Sequence, residues 1–418
     1  MKIAFAFAFV LVKFTNDTTE PITVDRARRL FTGVGRGGQF VVDWFDANTH
    51  GNVDIGGSQV FGWFDLQESV AEYNQIRANG ASRGRIIDLG RQAAVAAGVD
   101  LSAFQNVVVI TNVEVDLFGS SGGVAATAVI AGKQRWEVQV APSVLCQEMI
   151  HGLGVSQHSR RAGSDDDYRD PYDVMSMFAA YSGVHPVESD LPVGPGLNSA
   201  FMDRAGWLDQ SRVMTSASQV DLRPLHRLDL PGFVAAVVNG YYIEYRPKVG
   251  WDSGYGDSKV FVHSRANDTS YLEKELGPGD QFAIGDKLAI FDEYFSVTVD
   301  AIDDGALTAS VSIQSRRQKQ FVVGPAELFG GVASDGGGFI ILGTKIVRIP
   351  PRSPAFRMLE GLAAIESANT PALPAHLQHR VTVQALEGLS AELSSQLDEL
   401  TELHTPKARD VAERERDA

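Results

Sequence analysis

Cysteine is almost absent from this 418-residue chain: Cys146 is the single thiol, so no disulfide can form within it. With one thiol, cysteine usage does not identify a redox compartment. No segment approaches the ~20 consecutive apolar residues that a membrane-spanning helix needs, so no transmembrane segment is expected. Cationic side chains are also in short supply, with 37 Lys and Arg against 52 Asp and Glu, a formal charge of −15 and a pI near 5.0. An acidic surface repels phosphate backbones, which excludes nucleic acid as the expected partner. What is present is ordinary for a soluble globular protein, 44% hydrophobic and 21% charged residues. The length suits about two or three domains with separate cores.

Lys2 followed by the apolar run Ile3 to Val12 resembles a short signal-peptide core, but no small-residue cleavage site follows. Large Ile3, Phe5, Phe7, Phe9 and Leu11 alternate with smaller Ala4, Ala6, Ala8, Val10 and Val12, which suits a strand buried on both faces. A short helix is expected over Thr23 to Phe31, and Leu66 to Ala78 and Arg85 to Ala97 have helical periodicity. Phe40 to Phe45 and Val60 to Phe64 carry apolar aromatic runs. Asn106 to Asn112 reads as a central strand, with further strands over Val124 to Ile130 and Trp136 to Val140. Pro142 opens a helix that Gly152 and Gly154 close.

From about Met214 short strands alternate with turn signals such as Asn239-Gly240 and Asp304-Gly305. The expected layout is an α/β domain over 1–212, a β-sandwich-like module over 213–317, a Gly-rich β extension over 318–352 and a helical C-terminal tail over 353–418. In the tail, Leu386, Leu389, Leu393, Leu397, Leu400 and Leu403 form one apolar stripe.

The helix opened by Pro142 runs into Gln147-Glu148-Met149-Ile150-His151-Gly152-Leu153-Gly154-Val155-Ser156-Gln157-His158. This nearly matches H-E-x-x-H-x-x-G-x-x-H, in which two His one turn apart bind zinc and the Glu between them acts on the bound water. Gln147 stands where the first His belongs, and its neutral amide is a poor zinc donor. Position 157 is Gln, with His158 one place later, and a one-residue loop insertion would let His158 take the third ligand role. Asp170-Pro171-Tyr172-Asp173-Val174-Met175-Ser176 follows downstream.

Together these stretches resemble the metzincin clan of zinc endopeptidases, and more narrowly the secreted immune-inhibitor-A-type (M6-like) proteases. The likeness extends to Trp44-Phe45-Asp46, His50 to Ile55 and Val60 to Phe64, which resemble the family's early strands, and to Gly196 through Leu208, which resembles the helix that completes its catalytic domain. It covers about residues 8–210, roughly half the chain. The resemblance implies a metzincin-like catalytic domain, Glu148 as general base, zinc on His151 and His158, and Met175 as the apolar floor of the site. It also implies a polypeptide substrate held in extended form along an edge strand, and export from the cell. No clear signal segment supports export, so a cytoplasmic location stays open.

His185 and His50 are candidate substitute ligands for the missing first His. Asp165, Asp166, Asp167 and Asp170 are candidate calcium ligands, although their spacing fits no defined calcium loop and suits a solvated acidic loop. Tyr168 and Tyr172 border the turn as candidate oxyanion donors. Gly33 to Gly38 resembles a nucleotide loop but follows a helix, so it reads as a flexible turn. Two functions stay open: a zinc endopeptidase with impaired activity, or a pseudo-peptidase that binds peptide or glycan.

Overall fold

The alternation of large and small side chains at the N-terminus sorts two cores. In a computed structural model, which describes residues 2–33, 38–177, 179–266, 268–285, 294–316, 319–322, 328–332, 338–342 and 345–349, β1 (Ile3–Ala4) pairs with a later short strand and β2 (Phe7–Lys13) is buried on both faces. Phe7, Phe9 and Leu11 enter one apolar cluster, and Ala8, Val10 and Val12 enter the other. Side chains of a strand alternate faces, so one segment serves both layers.

Helices α1 (Val24–Thr32) and α2 (Val41–Asn48) follow. Trp44-Phe45-Asp46, likened above to the family's early strands, is therefore helical. The Asp43 carboxylate accepts the Phe40 N–H at 3.1 Å, and Val41, Trp44, Phe45 and Asn48 are buried at helical spacing. Next come β3 (Val53–Asp54), the partner of β1, then β4 (Gln59–Asp65), α3 (Val70–Ala78) and α4 (Arg85–Ala96). The Ser69–Glu72 capping box starts α3 four residues later than the periodicity from Leu66 suggests.

Strands β5 (Asn106–Thr111), β6 (Phe118–Ser120) and β7 (Gly123–Thr127) complete a five-stranded sheet in the order β4-β2-β5-β7-β6. All pairs are parallel except β6 with β7, so the edge strand β6 runs against the rest. The strand expected over Trp136 to Val140 is absent, and Arg135–Glu137 forms a single 3₁₀ turn. Glu137 caps it by accepting the Gln134 N–H at 2.8 Å. Helix α5 (Pro142–His151) then packs on α2 and β6.

Beyond α5 lie β8 (Arg160–Arg161), β9 (Gly183–Val184), β10 (Pro192–Val193), α6 (Ser199–Arg204), β11 (Val213–Met214), β12 (Gln219–Leu222), β13 (Ala235–Val238), β14 (Tyr241–Arg246), β15 (Lys259–Ala266), β16 (Thr269–Leu276), β17 (Gln281–Ile284), β18 (Tyr294–Asp303) and β19 (Thr308–Arg316). They build a six-stranded sheet, β11-β13-β14-β15-β16-β8, and a four-stranded one, β12-β19-β18-β17. Because β8 pairs with β16, the six-stranded sheet crosses the division expected at 212/213. The architecture is mixed α/β, with several sheets and few helices.

The chain divides into two compact units. The first comprises Met1–Phe282 and Ser296–Gln314. The second comprises Ala283–Phe295 and Ser315–Ala418; in it β20 (Lys319–Val322), β21 (Leu328–Val332), β22 (Gly338–Leu342) and β23 (Lys345–Ile349) form an antiparallel meander within the Gly-rich stretch. The helical tail expected over 353–418 lies outside the described residues. Among the described residues no helix is long and apolar enough to cross a membrane.

Candidate active site

Pro142 at the first position of α5 sets the helix direction, and nine of the ten helix residues are buried. After His151 the chain turns back at Gly154, whose φ of +96° only glycine adopts freely. The Val155 N–H returns to the Ile150 carbonyl at 3.2 Å, so the loop folds against the helix end. A cleft of about 660 Å³ opens here, lined by Glu148, His151, His158 and Tyr168 together with Arg83, Asp116 and Phe118 to Ser121.

Glu148 is 6% exposed, and burial pushes its carboxyl up to about 7. The Arg83 charge and the Gly119 N–H, which the carboxylate accepts, oppose that rise. Near neutrality Glu148 therefore exists in both protonation states. Burial holds His151 down to about 4, and likewise lowers His158. Both rings are neutral at pH 7, and they meet edge to face with centroids 5.2 Å apart. His151 Nδ1 donates to the Val155 carbonyl at 2.7 Å, which leaves Nε2 as its acceptor. His158 Nε2 is 2.9 Å from the Tyr168 hydroxyl, and Tyr168 holds a left-handed φ of 62°.

Gln147 lies behind this surface and does not line the cleft. It is 1% exposed; its Oε1 accepts the Met177 N–H at 3.2 Å, and its Nε2 is 3.4 Å from Glu148 Oε1. Met175 is fully buried in the Val174–Ser176 turn, and its carbonyl accepts the N–H of Ser159, the residue after His158, at 3.3 Å. Asp173 anchors the turn, accepting from Met175 N, Ser159 Oγ and Asn198 N at 2.8, 2.5 and 2.6 Å. Burial, with Asp170 nearby, pushes the Asp173 carboxyl up to about 7.

Two candidate substitute ligands are already committed elsewhere. His185 donates from Nε2 to the Gln39 carbonyl, and its Nδ1 accepts from Val187 and Glu188 N–H. His50 donates to the Leu225 carbonyl and accepts the Asp209 N–H. The proposed calcium carboxylates are dispersed into ion pairs: Asp166 with Arg169, Asp167 with Arg160 and Asp170 with His263. Among the described residues no group of three or more His, Cys, Asp or Glu side chains could hold a metal ion. Tyr172 turns away from the cleft, with its hydroxyl on Glu275 and its carbonyl accepting the Tyr255 hydroxyl at 2.7 Å.

Several contributors had no signal in the motif. Arg83 pairs with Asp116 at 2.6 Å and lies over the Phe118 ring at 4.7 Å, and all three line the cleft. From the C-terminal strands, His263 holds Asp170 at 2.9 Å, Glu244 accepts the Ser199 N–H at 2.6 Å and Arg246 donates to the Gly196 carbonyl at 3.1 Å. Nothing in the strand sequences sets these three apart, since the strand that carries His263 also holds Lys259, Ser264 and Arg265. In comparison with known proteins, the chain matches no family model and no curated protein.

Proposed function

We propose that this chain is a metzincin-like, M6-type peptidase scaffold that holds an extended polypeptide along β6 and whose hydrolytic chemistry is impaired. The observation that carries this reading is the Gln147 amide, which is buried and engaged by the Met177 N–H. The antiparallel edge strand beside the Glu148 helix supports the lineage, as does the Met175 turn bonded to the residue after His158. Zinc, the metal the resemblance implies, normally needs at least three protein donors. This site offers two imidazoles, one of them hydrogen-bonded to Tyr168, and a neutral amide turned to backbone. That set does not fit a zinc site.

The same groups suit recognition of a peptide backbone. A protonated Glu148 donates to a peptide carbonyl, and the neutral His151 accepts a peptide N–H at Nε2. As the edge strand of its sheet β6 suits strand addition by such a peptide, with the Gly119 N–H already given to Glu148. Retention of Glu148 and of the His151–His158 pair favours a second reading, residual zinc-dependent hydrolysis. Fluorescein-labelled casein, followed by polarisation and by release of fragments, together with metal content after purification, separates the two. The expected result is binding without cleavage, zinc well below one per chain, and gain of metal by Gln147→His. Stoichiometric zinc with casein cleavage by the wild type would overturn the impairment, and absence of casein binding would overturn the cleft assignment.

A further inference from the structure

Three segments converge behind the cleft: helix α5, the loop that carries His158, and the turn around Met175. A metal shared by such segments would cross-link them; here hydrogen bonds between protein groups connect every pair. Helix to turn is Gln147 Oε1 to Met177 N at 3.2 Å. Loop to turn is Ser159 N to the Met175 carbonyl at 3.3 Å and Ser159 Oγ to Asp173 at 2.5 Å. Helix to loop is His151 Nδ1 to the Val155 carbonyl at 2.7 Å. Gln147, Met175, Met177 and Ser159 are all buried, so water has little access to replace a lost partner.

We infer that Gln147 is a positioning residue that substitutes for a metal: its amide braces helix against turn, so the cleft folds and keeps its shape without a bound ion. Gln suits the task because one carbonyl reaches the Met177 N–H while the attached amino group points to Glu148. Leucine has nearly the volume but no acceptor, and would leave the Met177 N–H buried and unpaired. Histidine at this place gives up the amide geometry for a metal donor. The inference deepens the proposed function and relies on it only for the identity of the displaced ligand.

The test uses the full chain as wild type, Gln147→Leu and Gln147→His. Thermal unfolding is measured in EDTA and with added zinc, and hydrogen exchange is followed over residues 174–177 with helix α4 as an internal reference. The wild-type midpoint is expected to stay within about 1 °C between the two conditions. Gln147→Leu should speed exchange at 174–177 by about tenfold relative to α4, the loss of roughly one buried hydrogen bond. Gln147→His should melt lower in EDTA and recover with zinc. A wild-type melt that falls in EDTA and is restored by zinc would overturn the inference, as would unchanged exchange in Gln147→Leu. If the Leu variant does not fold, the wild-type comparison decides alone. Since no polypeptide enters these measurements, their failure leaves the casein-binding reading to stand or fall separately.

Discussion

Gly119→Ala probes the close contact of β6 with α5 beside the cleft. A Cβ built at Gly119 lies 1.8 Å from the Glu148 carbonyl oxygen and 2.5 Å from its carbonyl carbon. Both atoms are helix backbone and cannot rotate aside, so β6 and α5 would have to separate. Even a weak C–H to oxygen contact needs about 3.3 Å, so the required shift is well over an ångström. Overpacking of this kind costs about 1–3 kcal/mol. Separation also breaks the bond from the Gly119 N–H to the Glu148 carboxylate, and hydrogen bonds to charged groups contribute about 1.5–3 kcal/mol. Together they place the loss near 4 kcal/mol, about half to all of which should appear as stability and the rest as local displacement of β6. The control is Gly98→Ala. Gly98 has a φ of +85° with nothing within 4 Å of an added Cβ, so its cost is the left-handed conformation alone, about 1–2 kcal/mol. Urea unfolding followed by far-UV circular dichroism measures both variants, and labelled casein reports on the cleft. Gly119→Ala should be clearly the less stable and bind casein at least about tenfold more weakly, since a 1.4 kcal/mol loss suffices for that. If it is no less stable than Gly98→Ala, β6 does not rest on α5 and the account of the cleft wall fails.

Two further perturbations test the surrounding frame. Burial holds His50 down to about 4, against an ordinary value of 6.5. The folded chain therefore refuses a proton that the unfolded chain takes up, so the stability His50 permits is full above pH 6.5 and is lost as pH falls toward 4, by about 3 kcal/mol. The urea-derived stability of wild type minus that of His50→Gln should fall through this window; a difference independent of pH would refute the assignment. Arg246 is fully buried against Asp252 at 2.5 Å and Glu244 at 3.4 Å. Arg246→Met removes the guanidinium from both carboxylates, leaving Asp252 with His226 and the Gly196 N–H and Glu244 with the Ser199 N–H, and should cost about 3–5 kcal/mol, with Asp252→Asn recovering part of it in a double-mutant cycle. Simple additivity of the two substitutions would show that the pair is not coupled.

Legibility followed sequence separation. The alternation in Phe7 to Val12 identified a doubly buried strand because each face meets a different core, and Pro142 with Gly154 delimited α5 because both residues act locally. Aromatic content obscured α2, although Val41, Trp44, Phe45 and Asn48 already stood at helical spacing, and composition alone did not register the period. Glu148, His151 and His158 meet in one cleft because one helix and one short loop carry them. The edge strand β6 is three residues of Phe, Gly and Ser, too short and too poor in β-formers to announce itself. His263 lies 93 residues from Asp170, and no spacing rule reaches that far. The same limit governs the residue on which the proposed function turns. From its place in the motif Gln147 is only a missing ligand; its partner, the Met177 N–H, is 30 residues away and is a backbone group that every residue except proline offers. Sequence can therefore mark Gln147 as a departure from the zinc-helix pattern, whereas only the fold shows that this residue makes a bond of its own, to the Met177 N–H.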